Sequence, residues 1–109
     1  MIELVTLVEI KEHLRDDGNA NDAEYLMFNQ AGSAAILSFI QGNRERVIDS
    51  DGKVIKGTEI LARLKVALLV LIGWLDRNRG GEDEEKLMQG YLPISVTMLI
   101  YDLRRPTIV

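Results

Sequence analysis

His13 is the chain's single histidine, and a helix through it would place Glu9 one turn earlier, within reach of the imidazole. Histidine is the side chain that most often does general acid–base work, and a neighbouring carboxylate can orient it. Nothing near it in sequence supplies a nucleophile, so the expectation is a solvated histidine on a short amphipathic helix and no catalytic residue. Asp49, Asp51 and Gly52 suggest a calcium loop. Such a loop needs an oxygen ligand at its first position and a glutamate at its twelfth, and aligning Gly52 with its central glycine puts Val47 and Thr58 there. A turn is the better account. Glu82-Asp-Glu-Glu85 could gather a divalent ion loosely, but acidic runs are ordinarily solvated. With no cysteine, disulfides and thiolate chemistry are excluded. The chain therefore reads as a non-enzyme with no cofactor and no metal.

Nucleic-acid recognition is equally poorly served. The formal charge is −4 over 109 residues, the wrong sign for a protein that grips phosphates. Arg44 and Arg46, Arg77 and Arg79, and Arg104 and Arg105 come in separate pairs without interleaved aromatics, as solvated arginines or arginines matched to helix dipoles do. Hydrophobic residues at 47% and charged residues at 28% are ordinary for a folded chain, and the length suits a single domain, 1–109. Met1–Thr6 lacks the basic and apolar pattern of an export signal.

The elements that would carry these residues are helical. Thr6-Leu-Val-Glu9 is a capping box, flanked by Val5 and Ile10 at the spacing of a hydrophobic staple. It opens a short helix with Leu7, Ile10 and Leu14 inward, which Asp16-Asp-Gly-Asn19 ends. Asn21-Asp-Ala-Glu24 predicts a second capping box and a helix to Gly42 whose stripe is Ala23, Leu26, Met27, Ala31, Ala34, Leu37 and Ile40. Phe28, Ile36 and Phe39 fall off that stripe, either as a second face for another subunit or as part of one broad stripe. Small residues at 31–35 allow another helix to approach closely. Val47-Ile48 and Val54-Ile55, separated by Asp49-Ser-Asp-Gly52, predict a small hairpin or extended arm across 43–57. Thr58 caps a third helix with Ile60, Leu61, Leu64, Ala67, Leu68, Leu71 and Leu75 inward, and Gly80-Gly81 stops it. Pro93 precedes a short closing helix containing Val96, Leu99 and Ile100, which Arg104-Arg105-Pro106 ends.

Within the third helix, Val66–Leu75 is apolar or glycine at every position. A helix hydrophobic all round must be covered on every side, and this run falls well short of the roughly 20 apolar residues that span a bilayer. A buried helix, not a membrane segment, is expected. So small a chain can wrap it only in part, since about a third of the unfolded surface stays exposed at this size. Neighbouring copies are expected to supply the rest, through Leu69, Val70 and Ile72 with Phe28 and Phe39. The arm, through Val47, Ile48, Val54 and Ile55, is expected to dock on a neighbour or partner. The fold class is all-α: a small helical bundle with one long buried central helix, an arm between the second and third helices, and a short C-terminal helix.

Set in order, three stretches resemble the head–tail connector (adaptor) family of tailed phages. Thr6–Arg15, followed by acidic residues and Asp22-Ala-Glu-Tyr-Leu26, resembles that family's opening helix, acidic loop and second helix. Ile60–Arg79, closing on Trp74, Asn78 and Arg79, is similar to its long central helix. Leu92-Pro-Ile-Ser-Val96, Leu99 and Arg104 look like its closing segment, although Ile94-Ser95 stands where a bulky residue and glycine are common. The 43–57 insert has no family signature.

The resemblance implies a homo-oligomeric ring at the head–tail junction of a virion, assembled in the host cytoplasm. It implies a portal protein as one partner, a head-closure or tail protein as the other, and genomic DNA passing through the lumen without sequence-specific binding. An acidic lumen would repel phosphates and let the duplex slide. The alternative is a small acidic dimeric regulatory or protein-binding module, which would close as a two-fold pair where a ring needs two different patches.

Overall fold

A computed structural model describes residues 2–77 and 92–103 of the chain. The fold is all-α, with four α-helices among the described residues: α1 Leu7–Leu14, α2 Asp22–Ile40, α3 Glu59–Arg77 and α4 Ile94–Ile100. Short 3-10 turns at Arg44–Arg46 and Tyr101–Leu103 follow α2 and α4.

The first helix begins as its sequence dictates. Glu9 N–H donates to Thr6 Oγ1 at 3.1 Å and Thr6 N–H to Glu9 Oε1 at 3.0 Å, closing the capping box. Val5 and Ile10 are both buried. The helix ends at Arg15 in the left-handed conformation, φ 56°, before Gly18 is reached.

The second helix departs from expectation in its cap, its end and its rotation. Asn21 makes no side-chain cap to the helix, which stops at Ile40 because Gln41, not Gly42, takes positive φ. Its buried side is Tyr25, Phe28, Asn29, Gly32, Ser33, Ile36, Leu37 and Ile40, while Ala23, Leu26, Met27 and Ala34 face solvent. Asn29 and Ser33 account for the rotation. Asn29 Nδ2 donates to the Val5 carbonyl at 2.7 Å and Ser33 Oγ accepts the Leu4 N–H at 3.0 Å, so these buried polar groups are satisfied by the N-terminal stretch of chain.

Gly32 sets the packing of α2 on α3. A Cβ there would lie 2.5 Å from Leu68 Cδ1 and 3.2 Å from Leu71 Cδ2, and both leucines are fully buried. Leu61, Leu64, Ala67, Leu68, Leu71, Ile72 and Leu75 form the inward side of α3, and Thr58 Oγ1 caps the helix by accepting the Leu61 N–H at 3.1 Å. At Gly73 the neighbours are Leu14 and His13 of α1, so α1 covers the C-terminal half of the outer side of α3. Lys65 reaches Glu9 at 2.7 Å along the same side.

The arm is smaller than a hairpin. Only Ile48 and Val54 pair across it, in an isolated antiparallel bridge, and among the described residues there is no β-strand. Asp49 shapes the turn: its Oδ1 accepts the N–H groups of Asp51 and Lys53, both at 2.9 Å, and Gly52 takes φ 78°, which only glycine adopts without strain. The fourth helix packs Val96 and Ile100 inward, with Leu103 buried just beyond it.

Because Gly32 lies under buried leucines, Gly32→Ala should destabilise the protein by about 1–3 kcal/mol through overpacking. Gly73→Ala meets only ordinary contacts of 3.7 Å or more and should stabilise by about 0.5–1 kcal/mol through the lost entropy of the unfolded chain. Urea denaturation of the two variants checks both signs.

Candidate interaction surface

The residues whose types could do chemistry are not brought together. His13 is exposed, and Glu9, its expected partner, is held by Lys65 and by the Thr6 N–H. Burial would raise the Glu9 carboxyl, but those two hydrogen bonds and the Lys65 charge bring it below its ordinary value. Asp49 spends its carboxylate on the amides of its own turn. Among the described residues no group of three or more histidines and carboxylates could hold a metal ion, and no helix is long and apolar enough to cross a membrane. Glu82–Glu85, Asn78, Arg79, Gly80-Gly81 and Arg104-Arg105 lie outside the described residues.

The expected subunit contacts need correction. Phe28, Val47 and Ile72 are buried inside the chain itself, so none of the three offers an exposed side chain to another subunit. Val47 anchors the arm to the core, correcting the expectation of a docking element more than a part of the core. Ile48, Val54, Leu69, Val70 and Phe39 are half-buried and packed on the same core, with Ile55 half-buried beside them. Phe39 additionally meets the Tyr101 ring, centroid to centroid 6.5 Å at 52°.

The uncovered apolar surface lies elsewhere. On α4 and the turn after it, Ile94, Met98 and Tyr101 recur at i, i+4 and i+7, opposite the inward Val96, Ile100 and Leu103. Ile94 and Met98 are each 76% exposed. That second stripe is legible in the closing segment, which reads as one-sided only if Leu99 is taken as core. Between α3 and α4, Ala62, Val66 and Leu99 line an open groove of ≈ 260 Å³, flanked by Glu59 and Arg63. Arg63 clamps its edge, donating to Asp102 through Nη1 and Nη2 and from Nη2 also to the Leu99 carbonyl at 2.8 Å. The hydrogen bonds to Arg63 hold the Asp102 carboxyl below the usual range.

A third uncovered area runs along the outside of α1, where Val8 is 64% exposed in an open groove of ≈ 490 Å³ with Lys11, Glu12, Arg15, Asp16 and Asp17. Lys11 Nζ forms an ion pair with Asp22 Oδ1 at 3.0 Å, and on α2 the side chains of Leu26 and Met27 are also exposed. Behind it, the Tyr25 hydroxyl donates to Asp16 Oδ2 at 2.7 Å and keeps that carboxyl below its ordinary value. No family model, no curated protein and no solved structure matches the chain.

Two outcomes follow for single substitutions. His13→Gln should leave stability within about 0.5 kcal/mol of the parent, as exposed substitutions do, checked by thermal melting. Tyr25→Phe removes the bond that depresses Asp16. A carboxyl depressed on folding contributes stability above its unfolded pKa and loses it as pH falls through the folded value. The deficit of Tyr25→Phe should therefore be largest near neutral pH and shrink as pH drops through and below the ordinary aspartate range, as read by urea titrations across that window.

Proposed function

We propose that the chain is a subunit of a ring-shaped head–tail connector, joining a portal to the head-closure or tail components and leaving a passage for the genome. The observation that carries the reading is the placement of the uncovered apolar residues. The core is closed within one chain, yet large apolar side chains remain exposed on α4, along the α3–α4 groove and beside α1. Separate patches of this kind are what a subunit with different neighbours on its two sides requires, because a ring is built from heterologous contacts. The order of the three sequence stretches that resemble the connector family supports the same reading.

Electron microscopy of the purified protein, alone and mixed with its portal, tests it. Annular particles, or a ring of density added to the portal, are the expected result. A closed two-fold dimer that leaves the portal bare would reject the connector reading in favour of a regulatory module.

A further inference from the structure

We infer that α2 carries a seat for an extended peptide, filled in this structure by residues 2–5 of the chain itself, and that these residues act as a displaceable strap over it. The occupant that fits the seat in trans is an extended segment of a partner protein with two adjacent apolar residues. The inference stands apart from the connector reading.

The seat reads main chain. Asn29 and Ser33 lie one turn apart on α2 and are almost wholly buried, 1% and 0% exposed. Ser33 Oγ accepts the Leu4 N–H at 3.0 Å while Asn29 Nδ2 donates to the Val5 carbonyl at 2.7 Å, so one side chain meets a backbone donor and the other a backbone acceptor. The pair is oriented before any peptide arrives. Ser33 Oγ donates to Asn29 Oδ1 at 3.4 Å, which leaves the hydroxyl oxygen free to accept and the amide N–H groups free to donate. The edge of a sheet offers a visiting strand the same combination of donor and acceptor. Side chains add a simpler demand: Leu4 and Val5 are buried, Ile2 packs half-buried on the core, and Glu3 stays exposed.

The strap is held by little else. Residues 2–5 belong to no helix or strand, and among the described residues no backbone–backbone hydrogen bond reaches them. A long bond of 3.5 Å from Asn29 Nδ2 to Glu3 Oε2 is the remaining polar contact. Release also has a defined stopping point, because the capping box at Thr6 closes within α1, and α1 rests on α3 through the Glu9–Lys65 ion pair and through Leu14 beside Gly73. None of these contacts involves residues 2–5. Thr6, extended at φ −97° and ψ 160°, is thus a hinge with a fixed far side. Vacating the seat would uncover the apolar contacts of Leu4 and Val5 beside two polar side chains, a combination that another extended segment matches in both respects.

Thiol labelling tests this on the full chain, which has no cysteine of its own. In Val5→Cys the thiol should react at least about a hundred-fold faster than in Ala67→Cys, a fully buried site on α3, because the strap opens without global unfolding. Acetyl-Ile-Glu-Leu-Val-Thr-amide at about 1 mM should raise the Val5→Cys rate several-fold by mass action on the open seat, and leave Ala67→Cys unchanged. Methylating the leucine nitrogen of that peptide removes the N–H that Ser33 accepts and should abolish the effect, as should Asn29→Ala/Ser33→Ala in the chain. Hydrogen exchange at the Leu4 amide of the parent, faster than at the amides of α3 and faster again with peptide, reads the same opening without a cysteine. Equal rates at positions 5 and 67, a peptide without effect, or an N-methyl peptide as active as its parent would overturn the inference. Labelling at position 5 that rises with the protein's own concentration would overturn the partner assignment, by giving the seat to a second copy.

Discussion

The closeness of α2 to α3 at Gly32 governs the rest of the fold. With no side chain at that position, the methyl ends of Leu68 and Leu71 rest on the backbone of α2. That spacing turns Phe28, Ile36, Leu37 and Ile40 into the core and leaves Leu26 and Met27 outside. Dense interiors tolerate little change in volume, so Gly32, the smallest residue in α2, acts with Asn29 and Ser33 in setting the rotation of the helix about its axis. The N-terminal segment then has one place to lie. Leu4 and Val5 are buried beside α2, and their backbone groups are met by Ser33 and Asn29.

Much of this architecture is legible in the residues. The capping box at Thr6, the Thr58 cap, the inward side of α3 and the closing helix after Pro93 all follow from short-range chemistry, in which the partners lie within one turn. The rotation of α2 does not. Its hydrophobic pattern is ambiguous because Asn29 and Ser33 count as polar and thus as outward, although their partners are backbone groups more than twenty residues earlier. Once two polar positions are misassigned, the stripe shifts around the helix, and Phe28 passes from core to apparent surface.

The same limit explains the interaction surface. An all-apolar run such as Val66–Leu75 shows that much must be covered but not by which element; within the chain α2 meets Leu68 and Leu71 and α1 meets Gly73. The arm misled in a different way. Its β-branched pairs and Asp49–Gly52 turn are correctly read, yet Val47 belongs to the core, because the 3-10 turn at Arg44–Arg46 folds the chain back before the bridge begins. The outer stripe of α4, by contrast, is present in the residue spacing itself and is hidden only by the inward Val96 and Ile100 that share the helix.

Arg63 and Asn43 link segments 39 and 60 residues apart, tying the last described helix to α3 and to the start of the arm. Contacts so distant along the chain must close large loops before they return any free energy, and such closure is slow relative to the local helix pairing that α1 and α2 can make. The C-terminal helix is thus placed to dock last on a core already assembled, and to leave first. Disturbance at its seat would register mainly as faster unfolding, with the rate of folding little changed.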